Sequence, residues 1–217
     1  MNNGINMNKE AIKFISEIVK PWEILNRELA TAFSMNPSIN DFITKTNALA
    51  VSIKHIPEAT QKIKPEVLAK ENQSYEIISD LADSVKHGKL RKPKRECKLT
   101  VSSMFERNPE AKVRFLRNRI SIHHNGFGKI DFMKCATDSA LFVSQKLGIR
   151  TDWAPKIFNN SGDFSDEIKV HATRQYQIVW TGMQLEIVQI NDHGEYENVD
   201  LNGQAKFILT SEFQKPL

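Results

Sequence analysis

The sequence of 217 residues predicts an α+β protein with an N-terminal helical bundle, a mid-chain β-hairpin, a further helix and a C-terminal antiparallel sheet. Three observations lead to this fold class. Apolar residues recur at helical spacing over residues 8–87, and they alternate with polar residues over 113–124. Short β-prone runs separated by turn residues then follow residue 167.

The first part of the chain predicts three helices. The first covers residues 8–33 with a break or kink at Pro21, because proline removes a backbone donor. The second begins near residue 39 and ends at Pro57, and the third ends at Gly88. The third helix has apolar residues at helical spacing as its predicted buried stripe: Tyr75, Ile78, Leu81, Ala82 and Val85.

The middle of the chain predicts a β-hairpin. Residues 89–98 are too charged and proline-interrupted for a helix interior, whereas 98–105 and 113–124 have strand character and are joined by a turn at 107–110. In the second strand the alternation places apolar residues on one face and a basic row on the other. The apolar face has Leu116, Ile120 and Ile122, and the other face has Arg117, Arg119, Ser121 and His123.

A fourth helix and several strands are predicted after the hairpin. The helix covers residues 131–147, with Asp131 near its start and Gly148 at its end. Strands are expected at 168–172, in two runs within 176–190, and at 204–210. Residues 150–167 have linker composition, so we expect a helical region with an inserted hairpin over 1–149 and a β-rich region over 150–217, which together could form a single domain.

Composition excludes several classes of protein. Apolar residues make up 40% and charged residues 26%, which is typical of globular proteins and unlike collagen-like, disordered or disulfide-scaffold chains. No apolar run approaches the roughly 18–20 residues that a membrane span needs, and the N-terminus lacks a signal-peptide core. The two cysteines, Cys97 and Cys135, form no CxxC pair. We therefore expect a cytoplasmic protein with no zinc or disulfide framework, no cofactor and no membrane partner.

Positive charge is concentrated in one stretch. Residues 84–119 carry 12 basic and 3 acidic side chains, a net charge of +9, whereas the whole chain has a net charge of +4. A local excess of this kind indicates a polyanion partner more strongly than bulk charge does. Eight of these twelve basic side chains are the candidate nucleic-acid-binding residues: Lys86, Lys89, Arg91, Lys92, Lys94, Arg95, Arg117 and Arg119.

A second candidate site lies at the end of the third helix. Asp80, Asp83 and His87 share one helical face, and Asp83 could pair with His87 and hold its tautomer. Such a polar row is either catalytic or a local ion pair at the negative end of the helix dipole. The spacing of the six histidines indicates no metal site.

Residues 47–91 resemble a known family. The hairpin NALAVSIKHIPEAT followed by SYEIISDLADSVKHGKL is similar to a group of bacterial helical proteins whose helix ends in D-L-x-N/D-x-x-K-H, and these resemble HEPN-like domains. The resemblance implies action on RNA, in phage-defence or toxin–antitoxin systems. HEPN ribonucleases carry an Arg-x(4–6)-His motif, which Arg117 and His123 match in spacing, as do Arg119 and His124. The arginine would hold the scissile phosphate and the histidine would act as general acid or base.

Three functions remain open at this level. The first is binding of nucleic acid, with RNA favoured, through the 84–119 stretch. The second is a metal-independent HEPN-like endoribonuclease that uses Arg117 and His123, although the two-residue alternation there indicates a strand whereas the family motif lies on a helix. The third is a protein-interaction subunit, in which the basic stretch meets an acidic partner or the acidic C-terminal half. Formation of a homo-oligomer is also left open. Whether the protein is an enzyme is left open.

Overall fold

We describe the protein from a computed structural model, which covers residues 9–31, 39–172, 184–199 and 206–211. The fold is α+β, as the sequence predicts. The helices are α1 (Lys9–Phe14), α2 (Lys20–Leu29), α3 (Ile39–Gln61), α4 (Pro65–Ala69), α5 (Gln73–His87) and α6 (Phe132–Lys146). The strands are β1 (Cys97–Arg107), β2 (Val113–His124), β3 (Gly128–Asp131), β4 (Glu167–Ala172), β5 (Gln184–Ile190), β6 (Tyr196–Asn198) and β7 (Lys206–Ser211).

Pro21 in α2 and Pro57 in α3 affect their helices in different ways. A π-helical turn, Ile15–Val19, joins α1 to α2 and ends two residues before Pro21, so the helix changes its hydrogen-bond register there without ending. Pro57 lies inside α3, and the prediction that it ends the helix is wrong. The helix closes one turn later, where the N–H groups of Lys62 and Ile63 donate to the carbonyls of Glu58 and Pro57 at 3.0 and 3.2 Å.

The helix α5 begins and ends as its sequence indicates. The side chain of Asn72 accepts a hydrogen bond from the N–H of Tyr75 at 2.8 Å, which caps the first turn. Gly88 follows the last residue with a positive φ of 68°. The predicted stripe is buried except for Val85, which is 43% exposed because it lies in the last turn, where the helix side is open to solvent.

The strands form a mixed sheet and a separate parallel pair. Among the described residues the order of the larger sheet is β3-β2-β1-β5-β6, while β4 pairs with β7. The hairpin of β1 and β2 is confirmed, but the C-terminal strands do not form the antiparallel sheet that was predicted. The pairs β1–β5 and β4–β7 are parallel, and β5–β6 is antiparallel. Parallel pairs need long connections, which a local hairpin pattern does not reveal. The run at 176–180 lies outside the described residues.

The chain divides into two compact units, and each takes segments from distant parts of the sequence. The helical unit comprises residues 1–25, 43–99 and 122–157, and the sheet unit comprises residues 26–42, 100–121 and 158–217. This division differs from a single boundary after residue 149, because the helical unit continues across that position. Both β1 and β2 contribute residues to both units.

The helical unit is built around aromatic and aliphatic side chains from every described helix within it. Trp22 and Trp153 pack edge to face with ring centroids 5.4 Å apart, and Tyr75 donates its hydroxyl hydrogen to the carbonyl of Lys54 at 2.7 Å. Helix α5 packs against both α4 and α6. Burial of these side chains fixes the C-terminal end of α5, which the charged residues 89–98 follow.

The sheet unit has two smaller apolar clusters on its strands. Phe105, Val113, Ile168 and Ile187 form the first cluster, and Met104, Leu116 and Val188 form the second. Charged side chains on the same strands are paired with one another. Arg114 donates to Glu106 at 2.8 Å, and Arg119 forms an ion pair with Glu186.

Candidate nucleic-acid interface

The last two residues of α5 and the loop that follows them are rich in exposed cations. We call residues 86–95 the basic loop. It contains one short 3₁₀ turn, Pro93–Arg95, and its other residues past α5 lack regular structure, because the charges and the proline oppose a helix. Its exposed cationic side chains are Lys86, Lys89, Arg91, Lys92 and Lys94.

The basic loop is held in place at several points. The carboxylate of Glu96 accepts from the N–H of Leu90 at 3.3 Å, and the hydroxyl of Ser84 accepts from the N–H of Cys97 at 3.1 Å. The side-chain amide of Asn125 donates to the carbonyl of Pro93 at 2.7 Å. These contacts give the loop a defined path although it lacks regular structure.

An open pocket of about 600 Å³ lies against this loop. Its lining consists of the residues Asp83, His87, Lys89, Leu90, Arg91, Lys92 and Arg95. Four of these side chains are cationic and one is a carboxylate, so the pocket carries a net positive charge. A pocket with this lining favours an anionic ligand such as a phosphate group.

A buried ionic network lies beneath the loop. Asp80 is 1% exposed, and its carboxylate accepts from Arg95 Nε at 2.7 Å and contacts His124 Nε2 at 3.2 Å. Asp83 accepts from Arg95 at 3.0 Å through one oxygen, and its other oxygen pairs with Lys54. We call Lys54, Asp80, Asp83, Arg95 and His124 the Asp80 network.

The Asp80 network shifts the pKa of Asp83 and of Arg95. Burial alone would raise the pKa of Asp83, but the hydrogen bonds and charges of Lys54 and Arg95 outweigh it and hold the pKa below its ordinary value. The hydrogen bond to Asp80 raises the pKa of Arg95. Both groups are therefore ionised at neutral pH. The charge of Arg95 is largely compensated by Asp80 and Asp83.

Both ring nitrogens of His124 are occupied by hydrogen bonds. The backbone N–H groups of Gly126 and Phe127 donate to Nδ1 at 2.9 and 3.2 Å, so Nδ1 carries the lone pair. The proton therefore lies on Nε2, which donates to Asp80. With neither nitrogen left for a substrate, His124 is a positioning residue that joins Asp80 to the turn at 125–127.

The predicted helix-end cluster is only partly assembled. Asp80 and Asp83 come together with Arg95, but the expected pair of Asp83 with His87 is not formed, because both Asp83 oxygens are taken by Lys54 and Arg95. His87 is exposed and lines the pocket.

Nearby, burial raises the pKa of the Cys97 thiol to about 12, with Asp80 adding to the shift.

The strand arginines Arg117 and Arg119 are bound within the sheet unit. Arg117 is 6% exposed, and its guanidinium donates to the carbonyls of Asn118 and Phe158 at 3.2 and 3.1 Å. Arg119 forms an ion pair with Glu186. For this arginine, the acidic C-terminal half therefore neutralises the charge, as one of the three hypotheses from the sequence expects. The predicted basic row on β2 is therefore largely covered, because the residues on both faces of the strand are buried or half-buried.

The same placement argues against the ribonuclease motif. Residues 113–124 form a strand, as the alternation predicts, and not a helix as in HEPN ribonucleases. Six residues of extended strand rise by about 20 Å, so Arg117 and His123 are too far apart along β2 to act on one phosphate. Arg117 also has its donors directed to carbonyls.

Lys54 and His124 have roles that the sequence reasoning missed. Lys54 is 8% exposed. Its burial could be predicted from the sequence, because it lies one helical turn after buried Ala50 on the apolar stripe of α3. His124 gave a weaker signal as an inward-facing polar residue at the end of β2. Its partner Asp80 is 44 residues away in the chain, which local spacing does not reveal.

Within the described ranges, no three His, Cys, Asp or Glu side chains are grouped as metal ligands. No helix there combines the length and the apolar character needed to cross a membrane. Comparisons with family models, curated proteins and solved structures found no match.

Proposed function

We propose that the protein binds nucleic acid, with RNA favoured, through the basic loop. The observation that carries this proposal is the set of five exposed cations within residues 86–94, next to a positively lined pocket. Phosphate contacts from lysine and arginine supply most of the affinity of sequence-independent binding. RNA is favoured over DNA on the resemblance of residues 47–91 to HEPN-like domains.

The distribution of ion pairs separates the five exposed cations of the basic loop from paired cations in the same 84–119 stretch. Arg95, Arg114 and Arg119 are paired with carboxylates inside the protein. The side chains at 86, 89, 91, 92 and 94 instead extend into solvent from a loop that is anchored on both sides. The proposed surface is thus narrower than the stretch defined by charge alone.

The test removes the five loop cations together. The variant carries Lys86→Gln, Lys89→Gln, Arg91→Gln, Lys92→Gln and Lys94→Gln, and binding to a labelled single-stranded RNA is measured by fluorescence anisotropy over a series of salt concentrations. We expect affinity at about 50 mM salt to fall at least tenfold. The slope of log affinity against log salt should become shallower by about 3.5 if all five cations contact phosphates, since each contact on a single strand contributes about 0.7.

A control variant of equal charge makes the test specific. Glutamine at Lys9, Lys20, Lys64, Lys70 and Lys134 removes five exposed cations elsewhere in the helical unit. This control should retain affinity within about twofold, because overall net charge acts weakly compared with direct contacts. Equal loss in both variants, or no RNA binding by the native protein at low salt, would overturn the proposal.

A further inference from the structure

We infer that Phe127 is a base-stacking platform beside the basic loop, and that the nucleic acid bound there is single-stranded. This inference rests on the proposed function and adds the substrate class. Of the large apolar side chains that the described residues of the helical unit leave exposed, Phe127 is the aromatic one, with 40% of its surface accessible. Its position next to the cations gives it a role that an isolated exposed ring would lack.

The turn that carries Phe127 touches the basic loop directly. Asn125 donates its side-chain amide to the carbonyl of Pro93 at 2.7 Å. A Cβ atom added to Gly126 would lie 3.1 Å from the carbonyl oxygen of Lys94, so the two backbones are in close contact at that point. Phe127 therefore follows a residue that abuts Lys94, one of the exposed cations.

The ring of Phe127 is also held in position. The backbone N–H groups of Phe127 and Gly126 donate to His124 Nδ1. The His124 and Phe127 rings pack with their centroids 4.7 Å apart. His124 covers part of the ring while the remainder stays open to solvent. A ring fixed in this way loses little conformational entropy on binding a base.

Asp80 connects the two halves of the proposed surface. Through Arg95 it holds the end of the basic loop, and through His124 it holds the turn with Phe127. One buried carboxylate thus sets the position of the phosphate-binding cations relative to the aromatic ring. This combination of a basic track with a stacking side chain is the arrangement by which proteins bind single strands.

The chemistry of stacking selects unpaired bases. In a duplex the base faces are covered by their neighbours, so a surface phenylalanine gains no base contact, whereas an unpaired base can stack on the ring. Cations contact the backbone of either form. The structure therefore predicts that Phe127 contributes to binding of single strands only.

The experiment compares single-stranded and duplex RNA of the same sequence, about 12 nucleotides long. We expect Phe127→Ala to weaken single-strand binding about five- to tenfold, to change duplex binding less than twofold, and to leave the salt slope unchanged. Leu141→Ala on α6, which removes an equally exposed apolar side chain, should change neither affinity.

A second variant reads stacking directly. Phe127→Trp should retain single-strand affinity and show tryptophan fluorescence quenching on RNA addition beyond that of the native protein. Single-strand affinity unchanged by Phe127→Ala, or equal loss for both RNA forms, overturns the inference. If the basic-loop variant still loses binding in that case, the proposed function stands alone, whereas no binding of either RNA by the native protein overturns both.

Discussion

At the scale of single residues, the Asp80 network decides which charges face solvent and which are used internally. Asp80 and Asp83 are buried or half-buried acids, and each is matched by cations at hydrogen-bond distance. Breaking such a pair is costly because it leaves the remaining charge poorly compensated in a site with little water. Arg95 therefore acts mainly as an anchor, while its neighbours at 91, 92 and 94 remain available to a ligand.

The pH dependence of stability provides a test of Asp83. Its folded-state pKa is lowered, so its contribution is fully present above the unfolded value near 3.9 and is lost as pH falls through the folded pKa. We expect Asp83→Asn to reduce the free energy of unfolding by about 2 kcal/mol at pH 7. The difference between native protein and variant should shrink steadily below about pH 4.

Urea unfolding at a series of pH values measures this difference. Asp138→Asn, at an exposed position on α6, is the control and should change stability by less than about 0.5 kcal/mol. A difference for Asp83→Asn that stays constant down to the lowest pH would show that its carboxylate is not stabilised by Lys54 and Arg95.

At the scale of elements, the turn by which the chain leaves α5 depends on Gly88. Its φ of 68° and ψ of −73°, with the Lys89 N–H donating to the His87 carbonyl at 2.8 Å, define a γ-turn with positive φ. Residues with a side chain are strained in this turn. We expect Gly88→Ala to lower the free energy of unfolding by about 2 kcal/mol, although no heavy atom beyond the adjacent residues lies within 4 Å of the added Cβ.

Chemical denaturation compares this variant with Val85→Ala, which changes an exposed position one turn earlier. The control should stay within about 0.5 kcal/mol of the native protein. A Gly88→Ala protein as stable as the native one would mean that the turn relaxes to an unstrained conformation.

Local sequence patterns predict the helices, the hairpin and several caps, but they predict the site only in part. Gly88 and the strand β2 follow from residue type and periodicity, which act within a few residues. The pairing of Asp80 with Arg95 spans 15 residues and that with His124 spans 44, so tertiary packing determines it. The parallel pairing of β5 with β1 was missed for the same reason.

At the scale of the whole molecule, the chain passes repeatedly between its two units. Each unit takes three separate segments, so neither corresponds to a continuous stretch of sequence. The sequence alone predicts a boundary after residue 149, because the composition of 150–167 is that of a linker. Part of that stretch instead belongs to the helical core, where Trp153 packs on Trp22 and on Phe14 with centroids 5.4 and 6.3 Å apart.

A chain shortened to residues 1–149 tests this arrangement. It would lack Trp153 from the helical unit and β4 to β7 from the sheet unit, which leaves β1 without its parallel neighbour. The apolar clusters on β1 and β2 would lose Ile168, Ile187 and Val188, so we expect the fragment to lose cooperative thermal unfolding and near-UV circular dichroism, which the full chain should show. A fragment that unfolds in one sharp transition would instead establish residues 1–149 as an independent domain, and residues 150–157 as dispensable for the helical core.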